Sequence, residues 1–366
     1  MRIAFDAKRA YHNCRGLGNY SRDYIRLLSQ YEPDGEYFLF NPRHPSAVRM
    51  PDYESCREVL PTPLWRHFPA LWRSYGCLSQ VRNLQVEWYH GLSGELPFGI
   101  HRLPVRTVVT VHDAIFERYP ELYSPTYRLL FRRKCRYACK VADVVVAVSE
   151  QTKRDCVRFF GADERKIKVV YQGCDARFRQ KVSEQEKDRV RQKYALPDVF
   201  LLDVGAVEPR KNLSNLLSAL QLSALDIPLV VVGGRSRYAE LMKRKAARLH
   251  LPVLFLQDVN FADLPAVCQM AHGSVYPSLF EGFGIPILEA LCSGVPVLTS
   301  TGSCFRETGG EAALYADPEN PAQMAEQLRC LVLDNQMRSR LKEEAVRQAA
   351  RFDDEHVAQN ILSVYE

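Results

Sequence analysis

Two glutamates eight positions apart, Glu281 and Glu289, flank the run GFGIPIL and are well placed for chemistry. Gly282 and Gly284 let backbone come close to a ligand. Pro286 is tolerated only in a first helical turn, so a helix begins about there and Glu289 lies in its opening turns. The unpaired N–H groups of a helix start suit anionic or hydroxyl-rich ligands, and carboxylates beside them can accept hydrogen bonds from sugar hydroxyls. A second stretch, LLDVGAVEPRKN (201–212), reads as a strand, a tight loop and a helix start. Its adjacent Arg210 and Lys211 could neutralise the charge that grows on a diphosphate leaving group, or could be solvated loop residues.

Four further segments carry candidates. NCRGLGNY (13–20) stands before a helix, and Gly16 and Gly18 allow backbone N–H groups to face a phosphate, Gly18 being nearer the helix. The third position of a dinucleotide fingerprint is Ser21 rather than glycine, which disfavours NAD. TVVTVHD (107–113) ends a strand with His112 and Asp113, where a histidine either points toward a ligand or is a satisfied structural residue. His90 follows another strand, and Ser149 with Thr152 reads mainly as a helix cap. LFLQDVNFADLPA (254–266) is a strand end followed by either a base-contacting loop or an ordinary turn.

The elements that must position these residues are short apolar strands alternating with amphipathic helices. Strands are expected at 3–5, 37–40, 86–89, 107–111, 144–148 and 167–170, then at 200–204, 229–232, 253–256, 273–276, 296–299 and 313–315. Apolar runs of this kind separated by helices indicate buried parallel strands. Two such series imply two doubly wound α/β domains. The charged stretch 180–196 separates them, which gives domains at 1–185 and 186–350. A closing helix at 351–366 is expected to pack back on the first domain. Ligands of open α/β sheets bind beyond the carboxyl ends of the strands, so residues just after strands are the ones to inspect.

A chain of 366 residues with 46% apolar and 25% charged residues suits two globular domains. It holds no apolar run long enough to span a membrane. The N-terminus enters a strand at once, so a cytoplasmic location is expected rather than a secretory leader. Eleven cysteines without a C-x-x-C pair read as small apolar residues in a reducing compartment. The stretches LWRHFPALWRSY (64–75) and YRLLFRRKCRYACK (127–140) are basic and aromatic. They could lie peripherally on the cytoplasmic membrane face, near a lipid-linked acceptor, or be solvated faces. No recognition module accompanies them, which argues against nucleic acid.

Taken together, EGFGIPILEALCSGVPV after a strand and GAVEPRK after another resemble retaining GT-B glycosyltransferases of family 4 (glycosyl transferases group 1), most strongly across 205–296. The resemblance implies an α/β GT-B fold with two facing Rossmann-like domains and a cleft between them. It implies a nucleoside-diphosphate sugar donor and a glycan or lipid-linked acceptor. Glu281 would bind hydroxyls of the transferred sugar, Phe283 and Gly284 would meet sugar and phosphate through their backbone, and Glu289 would bind the ribose. Gly205, Arg210 and Lys211 match the pyrophosphate motif, although Ala206 stands where many relatives have arginine. Asp258 and Val259 would read the base, with Gln257 in place of the family glycine. His112 would contact the donor sugar, His90 would border the acceptor pocket, and Gly16 and Gly18 would face the donor phosphate. No D-x-D motif stands at a strand end, so neither a metal nor another cofactor is expected. The ensemble looks mannosyltransferase-like and favours GDP-mannose, with a UDP-sugar as the nearest alternative. An epimerase, a phosphorylase-like enzyme and a silent sugar-nucleotide-binding partner are the more distant readings.

Overall fold

Apolar runs of three to six residues become parallel strands in two separate sheets of the computed structural model, which describes residues 1–48 and 50–366. The first sheet contains β1 (Arg2–Asp6), β2 (Glu36–Phe40), β3 (Cys56–Val59), β4 (Trp88–Gly91), β5 (Arg106–Val111), β6 (Val144–Ala147) and β7 (Ile167–Val169) in the order β3-β2-β1-β4-β5-β6-β7. The second contains β8 (Leu201–Val204), β9 (Leu229–Val232), β10 (Val253–Leu256), β11 (Gly273–Tyr276), β12 (Val297–Ser300) and β13 (Ala313–Ala316) in the order β10-β9-β8-β11-β12-β13. Every pairing is parallel. Both orders are those of a doubly wound fold, with a switch point between β1 and β4 in one sheet and between β8 and β11 in the other.

Strands β4, β6, β11 and β12 are buried along their whole length, as strands covered by helices on both faces must be. Only β3 escapes the sequence reading. It carries Arg57 and Glu58 at an edge, pairs with β2 alone and has no apolar run to mark it.

The chain divides into one unit of Met1–Gly173 with Asp354–Glu366 and a second of Cys174–Asp353. The junctions therefore differ from those expected at 185/186 and 350/351. Residues before 185 are tied to the second unit. The Arg179 guanidinium donates to the carbonyls of Ala349 and Phe352, and the Val182 N–H donates to Gln269 Oε1 at 3.0 Å. The charged helix Glu184–Tyr194 is held there too, because Asp263 accepts from Arg189, Lys193 and Tyr194 at 2.5, 2.6 and 2.7 Å.

The closing helix Asp354–Leu362 packs within the first unit. Arg26 pairs with Asp354 at 2.7 Å, and the Tyr365 hydroxyl meets His90 Nδ1 at 2.7 Å. His90 is fully buried and its Nε2 meets Thr110 Oγ1 at 2.8 Å. Replacing Tyr365 by Phe leaves one ring nitrogen of His90 without a partner. A loss of about 1–3 kcal/mol is expected for the first unit. All three tryptophans (Trp65, Trp72 and Trp88) belong to that unit, so fluorescence-monitored denaturation reads its stability selectively. An unchanged midpoint would remove the anchoring role of this contact.

Candidate functional site

The two loops that leave β8 and β11, the strands flanking the switch point of the second sheet, are stitched together by hydrogen bonds. The Leu279 N–H donates to the Arg210 carbonyl at 2.9 Å. The Asn212 amide donates to the carbonyls of Pro277 at 3.1 Å and Pro318 at 2.7 Å. Asn212 adopts φ of 62° at the start of the helix Leu213–Ser223, and with its amide spent on these loops it leaves that helix without a side-chain cap. A conformation open to asparagine but costly for most residues is thus used to bind two loops.

At the centre of this junction lies Glu281, whose Oε1 accepts from Arg210 Nη1 at 2.5 Å, Lys211 Nζ at 2.6 Å and Ser278 Oγ at 2.5 Å. Lys211 also donates to the Tyr276 hydroxyl, and Arg210 reaches Glu208 at 2.6 Å. The side chains of Arg210, Lys211 and Glu281 are only 12–14% exposed. Burial alone would raise the Glu281 pKa, but Lys211, Arg210 and the hydrogen bonds from Lys211 and Ser278 outweigh it and hold the group below its ordinary value. Arg210 and Lys211 are therefore not a bare pair of cations awaiting a diphosphate, because Glu281 already shares their charge. All three bonds fall on Oε1, and Oε2 takes part in none of them.

The backbone of Glu281 is fixed from the loop after β12. Ser303 Oγ donates to the Glu281 carbonyl at 2.8 Å, and the Cys304 thiol approaches the same oxygen at 3.3 Å. Gly284 then turns the chain at φ of 91° into the helix Ile285–Cys292, which has Pro286 in its first turn and no side-chain cap. A side chain at 284 would be strained at this φ and would crowd Ile287 at 3.2 Å. Phe283 is buried against Phe352, and its carbonyl accepts from Thr308 Oγ1 at 2.5 Å. Two uncapped helix starts thus flank the Glu281 cluster, and each concentrates partial positive charge at its end.

Glu289, one turn into the second of these helices, is in the opposite state. Its carboxylate makes no hydrogen bond among the described residues, and burial, followed by the charge of Asp175, raises its pKa to about 7. Asp203 on β8 is a residue the sequence reading passed over. It is buried beside Lys211, and desolvation lifts its carboxyl to about 7 against the pull of that lysine. The signal available was a lone acid inside an apolar strand, which sequence patterning alone does not separate from an outward-facing residue.

The remaining candidates fall elsewhere. Gly205 follows β8 beside the stem of Lys211 and donates its N–H to the Val232 carbonyl at 2.9 Å. Asp258 is exposed at φ of 63° and Val259 is half-buried, both following β10 at the edge of the sheet, two strands from β8. Neither bonds to the Glu281 cluster among the described residues.

In the first unit, Gly16 and Gly18 do not precede the helix but form its first turn, since it runs Gly16–Tyr31. A Cβ on Gly18 would lie 1.7 Å from the Asn13 carbonyl, so close packing within the unit already requires glycine there, whereas Gly16 has open space. His112 follows β5 and its Nε2 donates to the Leu92 carbonyl at 2.9 Å, which leaves Nδ1 with the lone pair. Burial lowers its pKa to about 4, so the ring is neutral near pH 7. The hydroxyl of Thr152 holds the His112 carbonyl at 3.2 Å, while Ser149 caps the helix Glu150–Asp155.

His90 does not border a pocket: both ring nitrogens are engaged in the core, and burial depresses its pKa to about 3. The basic stretches are also partly structural. Arg73 pairs with Asp6 and Glu95, Arg132 with Glu117, and Lys134 with Glu95. Among the described residues no helix is long and apolar enough to cross a membrane.

Comparison with known proteins identifies the family and the fold. The family model described as Glycosyl transferases group 1 matches residues 184–348, and that described as Glycosyltransferase Family 4 matches residues 16–178. The chain is 28% identical to O-antigen chain mannosyltransferase B of Escherichia coli over 100% of both chains. It is 31% identical to O-antigen chain mannosyltransferase RfbU of Salmonella typhimurium over 60% of each. Among solved structures, sucrose-phosphate synthase from Thermosynechococcus elongatus matches with a TM-score of 0.80 at 19% identity, covering 100% of this chain and 98% of that one. HepE of Anabaena in complex with UDP and glucose matches with a TM-score of 0.73 at 19% identity, covering 99% and 98%. The chain therefore belongs to glycosyltransferase family 4, the glycosyl transferases group 1, and is a glycosyltransferase with the two-domain GT-B fold.

Proposed function

We propose that the protein transfers a mannosyl residue from GDP-mannose, with retention of anomeric configuration, to a hydroxyl of a growing polysaccharide such as an O-antigen chain. The observation that carries this reading is the Glu281 junction: one carboxylate oxygen is bound by Arg210, Lys211 and Ser278, a few residues before a helix start that has no side-chain cap. A diphosphate placed there would draw on Lys211, Arg210 and the first-turn N–H groups as its negative charge grows. Oε2 of Glu281 would accept from a sugar hydroxyl. In this reading the chain itself supplies the neutralising charge.

No carboxylate is assigned as a covalent nucleophile. The bond from the anomeric carbon to the diphosphate oxygen breaks, the acceptor oxygen bonds to the same face, and its proton passes to the departing diphosphate. On the first unit, neutral His112 offers Nδ1 as a hydrogen-bond acceptor for the donor sugar. Mannose is favoured by the names of the relatives matched over the whole chain and over 60% of it. A UDP-sugar is the second reading, supported by the match to HepE, which was solved with UDP-glucose.

Calorimetric titration is expected to show GDP binding more tightly than UDP, and the reverse order would transfer the assignment to a UDP-sugar. Glu289 supplies a pH test. If ribose hydroxyls donate to its ionised carboxylate, binding lowers a pKa that stands at about 7 in the free protein. Nucleotide affinity should then rise roughly tenfold between about pH 6 and about pH 8. The Glu289→Gln variant should lose this rise, whereas Asp203, which titrates in the same range, remains in both proteins. An identical pH profile in the two would refute the ribose role. For Glu281→Gln, transfer should fall roughly 100-fold while GDP affinity stays equal or increases, because two cations have lost a competing charge. Weaker GDP binding with unchanged turnover would reverse the assignment of Glu281.

A further inference from the structure

Within the first unit, a cavity of about 410 Å³ lies beyond the carboxyl ends of β1, β2 and β4, beside the switch point of that sheet. Lys8, Arg9, Arg43, Arg73 and Lys134 line it, together with a single carboxylate, Glu95. Two of these cations are compensated. Arg73 meets Asp6 at 2.6 Å and Glu95 at 3.0 Å, and Lys134 meets Glu95 at 2.7 Å. Lys8, Arg9 and Arg43 make no ion pair among the described residues. Burial, then the charges of Arg73 and Arg9, lower the pKa of Lys8 against the opposing pull of Glu95 and Asp6, so the cations of the cavity outweigh its acids at this position.

An anion would offset this excess of positive charge, and a phosphate or diphosphate suits it. Its oxygens accept from a guanidinium in pairs and from an ammonium as a point charge. The volume is that of a small-molecule site rather than of a bound ion alone. At the rim, Phe68 and Leu71 are 55% and 51% exposed and flank Pro69 and Ala70, which line the cavity. An apolar lip beside an anion site matches a ligand whose charged group enters first.

We propose that this cavity is a subsite for a phosphate or diphosphate group carried by the acceptor, with Lys8, Arg9 and Arg43 as its ligands. It rests on the glycosyltransferase reading only in assigning the anion to the acceptor. The source is either a soluble phosphorylated saccharide or the headgroup of a lipid.

Titration of the full chain with inorganic pyrophosphate tests the site. The wild type is expected to take two equivalents, one here and one near Lys211. A Lys8→Gln/Arg9→Gln variant should weaken one of them by about 100-fold or more and bind GDP as the wild type does, which also reports that it is folded. Lys211→Gln should weaken the other. Pyrophosphate binding unchanged by the Lys8/Arg9 substitutions would overturn the proposal, as would a wild type whose every equivalent is lost in Lys211→Gln. Failure of the donor reading shows separately, as GDP affinity indifferent to Lys211. Sedimentation with phosphatidylcholine vesicles doped with phosphatidic acid distinguishes the sources. Vesicle binding lost in the Lys8/Arg9 variant assigns a lipid headgroup, and pyrophosphate binding without vesicle binding assigns a soluble phosphate.

Discussion

The second unit depends on one shared oxygen, Oε1 of Glu281, which holds Arg210, Lys211 and Ser278 at once. A carboxylate at this depth is costly unless paired, and two cations at this depth are costly without it. Each therefore justifies the burial of the others, and the loops after β8 and β11 are fixed by the same contact. Parallel pairing of these two strands across the switch point makes the contact available, since it delivers both loop starts to one end of the sheet. Beyond the shared oxygen, the two helix starts beside it carry no side-chain cap. Helix starts of this kind suit a ligand bearing both hydroxyls and negative charge.

Glu289 acquires a different character eight residues on. Among the described residues no cation pairs with it, and Asp175 adds repulsion to desolvation, so its carboxyl titrates near neutrality. Two carboxylates of one motif thus stand in environments that push their pKa values apart, a pattern that assigns separate tasks to the two groups. Glu281 is ionised throughout the physiological range and orders charge, while Glu289 becomes a strong acceptor when hydroxyl donors approach it.

Much of this was legible in the chain because the deciding forces were local. Apolar runs marked the strands, Pro286 and Gly284 marked a helix start, and the adjacency of Arg210 and Lys211 marked a concentration of charge. What escaped depends on contacts made across long sequence separations. The bridging of Asn212 to Pro277 and Pro318, and the hold of Ser303 on the Glu281 carbonyl, join residues with no local signature. The same holds for His90, whose position after a strand suggested a ligand but whose neighbours in space, Thr110 and Tyr365, satisfy it in the core. Gly18 resembled a phosphate loop, and the Asn13 carbonyl gives it a packing reason that the sequence did not show. Edge strand β3 had no apolar pattern because only one neighbour pairs with it. The unit junctions moved because Arg179 and Asp263 hold chain segments whose charged composition had suggested a linker.

The central claim is that a nucleoside diphosphate binds where the loops after β8 and β11 meet. Amide hydrogen exchange of the full chain with and without saturating GDP tests it directly. Slowed exchange is expected in 205–212, in 277–284 and in the first turn of the helix Ile285–Cys292, with the rest of the second unit little changed. Protection confined to the first unit, or to the loop after β10, with these segments unaffected, would contradict it.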